Sequence, residues 1–127
     1  MLAPALVVAL LVQQVRATLD APAGSTTAPP SHRYRIENVP ARGLLVPFGG
    51  RAYLRITDLD DGRVYRTPLY STQSLDMRTH EDAQWIGIAW IDFHKGEKRF
   101  ELGVPHWRRH WLNAFISNTP YTVRDNG

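Results

Sequence analysis

Apolar and polar residues alternate along several short segments of this chain, a pattern typical of half-buried β-strands. The alternation is clearest over Arg51–Leu59 and is also present over His32–Val39 and in the segment that follows Arg99. Leu44–Phe48 is apolar but contains a proline, which favours an edge strand or a loop. Short alternating strands of this kind predict an antiparallel sheet with one face on the core.

The first hairpin is predicted from the turn residues between two of these segments. Asp61-Gly62 is typical of a two-residue type I′ turn, because both central positions of that turn need a positive φ. A two-residue loop at this point pairs Leu59 with Val64 and Ile56 with Thr67. The apolar residues of both strands then share one face, which supports this register.

The middle of the chain contains a polar segment followed by an apolar one. Ser71–Gln84 is polar and without a clear period, which predicts a long loop. Trp85–Phe93 is apolar on both faces, which predicts one strand buried on both sides. His94–Glu97 is predicted to turn the chain, and Tyr121–Val123 is predicted to add a last short strand.

Between residues 105 and 117 the spacing of the apolar residues changes to that of a helix. Trp107, Trp111 and Phe115 recur every four residues and are expected to be buried against the sheet, with His106 and His110 on the opposite face. The elements together predict an α+β or mainly β fold, with an antiparallel sheet of about five strands and one C-terminal amphipathic helix. A small β-sandwich or barrel is the alternative.

The first stretch of the chain, Leu2–Val12, is an unbroken apolar run. Its length matches the ~7–15 apolar residues of a signal peptide and is short of the ~20 that span a membrane. No basic residue precedes the run, so either the natural start lies upstream or the segment is an uncleaved anchor. The alternative is a buried N-terminal helix, which Pro4 and the linker behind the run disfavour. Small residues that suit cleavage occur at Val15-Arg16-Ala17 and at Ala21-Pro22-Ala23.

The domain organisation follows from this leader and from the composition behind it. We predict that residues 1–19 are a signal peptide or an N-terminal membrane anchor, and that residues 20–31, rich in Ala, Pro, Ser and Thr, are a flexible linker. Residues 32–127 are predicted to form a single globular domain. The expected location is periplasmic or otherwise exported, with the protein either released or anchored in the inner membrane.

Composition narrows the classes of function. Cysteine is absent, which excludes disulfides, thiol nucleophiles and thiolate metal sites. The net charge of +3 suits a partner with an acidic surface but is too small for a nucleic-acid footprint. Gly49-Gly50 precedes a strand instead of a helix, so it is no phosphate loop. We expect no cofactor and no nucleic acid.

Histidine and acidic residues form two candidate sites for chemistry. His106 and His110 are one helical turn apart, but Trp107 stands where the zinc-hydrolase motif needs its glutamate, so we expect no metal site. Asp92 borders an apolar strand, where a carboxyl with a raised pKa would act as an acid or base with Glu101 across the hairpin. Since no further catalytic group is recognisable, we predict no catalytic residue.

The outward face of the first hairpin is the most distinctive predicted surface, because it interleaves arginine with tyrosine. Both residue types are enriched in protein-binding hot spots, and stacking platforms for single-stranded nucleic acid also use them. Export favours the first use. The predicted protein-binding residues are Arg51, Tyr53, Arg55, Arg66 and Tyr70.

These features predict a small exported, non-enzymatic domain that binds a protein partner. In being short, single-domain, tethered or secreted, and without a catalytic set, the chain is similar to the small envelope immunity proteins with which bacteria neutralise toxins. One alternative is a small hydrolase or sugar-modifying enzyme that uses Asp92, Glu101 and a histidine. Another is a structural component of an envelope or secretion assembly.

Overall fold

The described part of the chain forms two β-sheets and two helices. A computed structural model describes residues 3–41, 51–71, 75–105 and 107–124. In chain order the elements are α1 (Ala3–Leu19), β1 (Ser25–Thr27), β2 (Tyr34–Ala41), β3 (Arg51–Asp58), β4 (Val64–Arg66), β5 (His80–Glu81), β6 (Trp85–Ile88), β7 (Ile91–His94), β8 (Arg99–Leu102), α2 (Asn113–Ile116) and β9 (Tyr121–Val123).

The strands belong to two sheets. Sheet A has the order β1-β2-β3-β4, and sheet B has the order β5-β6-β7-β8-β9. All neighbouring strands are antiparallel except β8 and β9, which are parallel. The prediction of a sheet-rich, largely antiparallel fold is therefore confirmed, whereas the prediction of one five-stranded sheet is wrong.

The main core lies between the two sheets. Its buried side chains come from alternate positions of strands in both sheets, including Ile36, Leu54 and Ile56 from sheet A. Phe93 lies at its centre, with its ring centroid 4.8 Å from that of Tyr65 and 5.0 Å from that of Phe100. The period-2 pattern of the sequence correctly placed these side chains on the core face, because successive strand residues point to opposite faces.

A second core covers the other face of sheet A. It contains Val39, Ala41, Tyr53 and Leu69 from the region of sheet A. Ile116 of α2 and Leu112, the residue before α2, complete it. Four residues of α1 and the turn behind it pack on this cluster, Leu11, Val15, Leu19 and Ala21. Sheet A is therefore buried on both faces, and α1 is part of the folded domain.

The first hairpin has a longer turn and a different register from those predicted. Thr57 pairs with Val64 and Ile56 with Tyr65, so the register differs by two residues from the predicted one. Only Gly62 has a positive φ in this turn, which excludes type I′, and its N–H donates to Asp58 O at 2.8 Å. A shift of two residues keeps the side chains of β4 on their predicted faces, so the alternation could not reveal the error.

The predicted single strand Trp85–Phe93 is two strands. β6 and β7 are joined by the exposed two-residue turn Ala89-Trp90, and both strands place their isoleucines in the core. The sequence carries no glycine or proline at this turn, so the apolar run looked continuous. The predicted loop Ser71–Gln84 likewise contains the short strand β5. The linker prediction also fails at Ser25–Thr27, which pairs with β2 as an edge strand.

The predicted late helix is reduced to the four residues of α2. Leu112 and Ile116 are buried, whereas the side chains expected in the core, Trp111 and Phe115, are 56% and 46% exposed. The segment Trp107–His110 is not helical, so a helical wheel drawn from Trp107 wrongly assigns Trp111 and Phe115 to the core. Trp107 itself is partly buried against the main core. His106 and Leu44–Phe48 lie outside the described residues.

Alanine substitutions in and beside α2 test which side chains of this segment are buried and which are exposed. Ile116→Ala is expected to cost about 2–5 kcal/mol of unfolding free energy, because it leaves a cavity in the second core. Trp111→Ala is expected to change stability by less than about 0.5 kcal/mol, because its ring is exposed. Urea unfolding of the two variants measures both effects, and the opposite order of costs would contradict the assignment.

Helix α1 divides into two unlike halves. Residues 3–10 are all exposed, including Leu6, Val7 and Val8, so the first two turns project beyond the domain. From Leu11 onward one face packs on the second core, and Gln14 and Thr18 are buried. No helix in the described part of the chain has the length and apolar character required to cross a membrane.

Candidate functional site

The structure buries much of the surface that the sequence predicted as exposed. Tyr53 and Tyr70 are completely buried, so their predicted exposure is wrong. Tyr53 belongs to the second core, beneath α1, whereas Tyr70 belongs to the main core on the opposite face of sheet A. The regular strand ends at Arg66, and the pairing of Tyr70 with Ala52 is offset by one residue from that of β4, which turns Tyr70 inward.

Two side chains of β3, Arg55 and Tyr53, form hydrogen bonds that hold α1 against sheet A. The Tyr53 hydroxyl donates to Thr18 O at 2.8 Å, and Arg55 Nη1 donates to Leu19 O at 3.0 Å. Arg55 also forms a two-pronged ion pair with Glu37, with both nitrogen–oxygen distances at 3.1 Å. Burial alone would raise the pKa of the Glu37 carboxyl, but Arg55 outweighs burial and lowers it. These residues therefore bind the chain's own helix.

The two remaining arginines of the predicted surface are partly buried. Arg66 Nε donates to Ile116 O at 2.9 Å, and its backbone N–H donates to Asn118 Oδ1 at 2.7 Å. Arg51 is also only partly exposed. Four of the five predicted residues thus come from one side of sheet A, as the alternation indicated, but that side is covered.

A histidine–carboxylate pair lies on the outer face of sheet B. His80, Gly87, Asp92 and Glu101 are consecutive partners across four strands, so they share this face. His80 Nε2 lies 2.5 Å from Asp92 Oδ1, across the strand that holds Gly87. Any larger residue at position 87 would block this contact, since a Cβ there would lie 2.6 Å from Asp92 Oδ1.

The surroundings of this pair resemble an ion-pair network more than a catalytic centre. The second oxygen of Asp92 is 3.5 Å from Arg124 Nη2, and Glu101 is held at 3.2 Å by Arg99. Within the described residues, no group of three or more histidine and acidic side chains is placed to hold a metal ion. The structure therefore brings Asp92 to a histidine, as the enzyme alternative requires, but engages both carboxylates with arginine.

A cavity of about 390 Å³ lies beside α2. It is open to solvent and combines aromatic and polar side chains. Its lining residues are Arg109, His110, Trp111, Asn113, Ala114, Ser117 and Tyr121. A second cavity, of about 400 Å³, lies between the end of α1 and Pro40, and its lining side chains carry no charge.

The whole chain was compared with known protein families, curated proteins and solved structures. No protein-family model, curated protein or solved structure matches it significantly. The function has to be inferred from the arrangement of the residues themselves.

The cavity residues were assigned other positions or overlooked by the sequence analysis. Trp111 was assigned to the core because it matches a helical period, and His110 was assigned to the opposite face of that helix. His80 lies in the segment that was predicted to be a loop. The irregular chain before α2 has no periodic signal, so no sequence pattern could have placed Arg109 and Trp111 beside Tyr121.

Glu81 connects the two sheets, and we expect it to contribute to stability in a pH-dependent way. Its carboxylate accepts hydrogen bonds of 2.8 Å from Lys95 Nζ and from the Ser31 N–H that precedes β2. Burial by itself would raise the pKa of Glu81, but these bonds outweigh it and lower the pKa to about 2.

Since the folded pKa of Glu81 is below the unfolded value of 4.5, its contribution is present above pH 4.5 and is lost as the pH falls toward 2. Glu81→Gln should therefore be less stable than the parent protein at neutral pH, and the difference should shrink below pH 4.5. Urea unfolding at a series of pH values measures this difference, and a gap that does not change with pH would contradict it.

Proposed function

We propose that the protein is a small exported, non-enzymatic domain that α1 holds at a membrane surface and that binds a protein partner there. The observation that carries the proposal is the division of α1 into an apolar half whose side chains are exposed and a half that packs on the second core. Such a helix presents an apolar surface that a free monomer rarely leaves in water.

The projecting half of α1 suits one leaflet of a bilayer. Residues 3–10 contain no polar side chain and extend about 12 Å, less than half of a ~30 Å hydrocarbon core. The exposed polar residues Gln13 and Arg16 follow, at the level where the domain begins. An arginine at this position would contact anionic headgroups, which attract basic residues near a membrane surface.

Vesicle binding tests this attachment. The full chain should sediment with vesicles of phosphatidylethanolamine and phosphatidylglycerol, and Leu6→Asp/Val7→Asp should weaken binding by about tenfold or more, because charge is expensive in the hydrocarbon region. Leu59→Asp is the matched control, since Leu59 is 49% exposed at the far hairpin turn. Equal binding by both variants would contradict insertion of α1.

Retention of α1 in the mature protein is a further consequence. Cleavage after Ala17 would remove Leu11 and Val15 from the second core and uncover Tyr53. Mass spectrometry of the protein from a membrane fraction should therefore find residues 3–19 still attached. A folded protein that begins at Thr18 or Gly24 would identify the segment as a cleaved signal peptide.

Export itself is tested by a fusion. A reporter enzyme that is active only outside the cytoplasm, placed after Gly127, should be active. A fusion that is stable but inactive would contradict an exported location.

The exposed aromatic side chains near α2 support a protein partner. Trp111 and Phe115 are large apolar residues whose side chains remain exposed. Arg109, which forms no ion pair with a described residue, lines the same cavity as Trp111. Tryptophan and arginine are the residues most enriched in hot spots. We propose a partner with an acidic surface and, as the biological role, the toxin neutralisation of an immunity-type protein of the bacterial envelope.

A pull-down from envelope fractions tests this surface. The parent chain should retain a defined partner that Trp111→Ala loses, while Trp90→Ala, which removes another exposed tryptophan on the β6–β7 turn, should keep it. A toxin among the retained proteins supports neutralisation, whereas components of an envelope or secretion machine support the structural alternative. Equal retention by both variants would reject this surface.

A small hydrolase or sugar-modifying enzyme is the second candidate, and the contact between His80 and Asp92 favours it. A carboxylate that orients a histidine is a recurrent part of general-base catalysis. If the protein is an enzyme, Asp92→Asn should abolish turnover of a hydrolysable glycoside or ester, while Asp76→Asn, at an exposed ion pair, should leave it unchanged. We expect neither protein to show turnover, and activity that depends on Asp92 would overturn the non-enzymatic proposal.

A further inference from the structure

The cavity beside α2 has the dimensions and composition of a ligand site. Its volume of about 390 Å³ lies within the range of roughly 300–1,000 Å³ that small-ligand pockets occupy. The side chains that surround it come from the irregular segment before α2, from α2 and from the start of β9. Three chain segments thus contribute to one concave surface.

The side-chain amide of Asn113 supplies a hydrogen-bond donor to the lining of the cavity. Asn113 Oδ1 accepts a 2.8 Å bond from the Leu69 N–H, which identifies the other atom of the amide as the Nδ2 donor. That Nδ2 is buried and has no hydrogen-bond partner among the described residues. A buried donor without a partner is costly, and a ligand acceptor would satisfy it.

His110 and Arg109 add donors of the same kind. The ring nitrogen Nδ1 of His110 accepts the Leu112 N–H at 3.1 Å, so a neutral His110 carries its hydrogen on Nε2. Arg109 forms no ion pair with any described residue, and its guanidinium has only donors. The described residues that line the cavity include no aspartate or glutamate.

The electrostatic environment of the cavity is positive. Burial lowers the pKa of His110, and the positive charge of Arg51 lowers it further. Arg109 supplies a fixed positive charge in the lining, where the described residues include no acidic side chain. Such a site favours an anion with several acceptor oxygens.

The aromatic rings that line the cavity, called the aromatic wall below, favour a particular kind of group beside the anion. The rings of Trp111 and His110 are stacked, with centroids 5.9 Å apart and an interplanar angle of 23°. Tyr121 is supported edge-on by Trp107 at 5.9 Å. Flat, exposed rings offer a large contact area to an apolar or planar group.

We propose that this cavity binds a carboxylate group that a protein partner carries next to an apolar or aromatic residue. The proposal rests on the proposed function, since it names the part of the partner that the domain recognises. The carboxylate has two sources, the C-terminus of the partner chain and a glutamate or aspartate side chain. Arg109 and Asn113 bind the carboxylate oxygens, and Trp111 contacts the neighbouring residue.

Three pentapeptides that end in phenylalanine distinguish the sources. The first has a free C-terminal carboxylate and no acidic side chain, the second is amidated and has glutamate before the phenylalanine, and the third is amidated and neutral. Calorimetry with the full chain should show binding of the first or the second at least about tenfold tighter than binding of the third. The tighter of the two identifies the source of the carboxylate. Equal binding, or no binding, of all three would overturn the proposal.

Two arginine variants locate the site. Arg109→Gln should weaken binding of the preferred peptide by about tenfold and leave the neutral peptide unchanged, because it removes a charge-assisted bond. Arg108→Gln is the matched control, since Arg108 is the exposed neighbour that does not line the cavity. Equal loss in both variants would indicate non-specific attraction, and loss of vesicle binding in Trp111→Ala would assign the aromatic wall to the membrane; both results overturn the proposal.

The peptide experiment is separable from the test of the proposed function. It needs neither a membrane nor the natural partner, so a cytosolic fusion with a functional cavity rejects only export. Conversely, a natural partner that binds normally to Arg109→Gln rejects only the cavity.

Discussion

Replacement of Tyr53 by alanine is expected to remove most of the stability of the domain. Tyr53 is completely buried in the second core, between sheet A and α1, and its hydroxyl donates to Thr18 O at 2.8 Å. Removal of a buried aromatic ring costs about 3–5 kcal/mol, while a small domain has only about 5–15 kcal/mol in total. Chemical denaturation followed by tryptophan fluorescence measures the loss.

Tyr53→Phe separates the packing of the ring from its bond to α1. The phenylalanine keeps the ring, so only the hydrogen bond is lost, at about 1 kcal/mol. If α1 were a detached leader, Tyr53→Phe would have no effect, because its hydroxyl would be in water. A stable Tyr53→Ala protein would show that α1 does not cover this face.

Gly87→Ala is the second substitution for which we expect a large effect. A Cβ at this position would lie 2.3 Å from Ile91 O and 2.6 Å from Asp92 Oδ1, both closer than any real contact. The backbone of β7 would have to move away from β6, and the bond between His80 and Asp92 would break. We expect a cost of about 1–3 kcal/mol or more, as for other insertions into packed regions.

Gly96→Ala is the matched control in the neighbouring turn. Its added Cβ would meet only the His94 ring, at an ordinary contact distance of 3.5 Å. Urea unfolding should therefore give nearly the parent stability for Gly96→Ala and a clear loss for Gly87→Ala. Equal stabilities would contradict the close approach of β6 and β7.

The alternation of apolar and polar residues was sufficient where the prediction depends on the geometry of a single strand. The alternation correctly predicted β2, β3 and β8, and correctly placed Ile56 and Phe100 in the core, because strand geometry alone sends successive side chains to opposite faces. It did not predict the register of the first hairpin, since a slip of two residues preserves the same faces.

The candidate site shows the limit of the same reasoning. Arg51, Tyr53, Arg55 and Arg66 were correctly grouped on one side of the hairpin, but nothing local to the hairpin shows that α1 covers it. Conversely, the helical spacing assigned Trp111 to the core, whereas the chain before α2 is irregular and leaves that ring at the cavity.

The sequence by itself determined strands β2, β3 and β8, the core face of these strands and the presence of an apolar N-terminal run, because each depends on the period or composition of neighbouring residues. Only the tertiary structure shows that α1 covers one face of sheet A. It also shows that the absence of a side chain at Gly87 allows His80 to contact Asp92, and that Arg109 and Trp111 line one cavity. These contacts join residues far apart in the chain. Their geometry depends on how the sheets and helices pack, which no periodicity encodes.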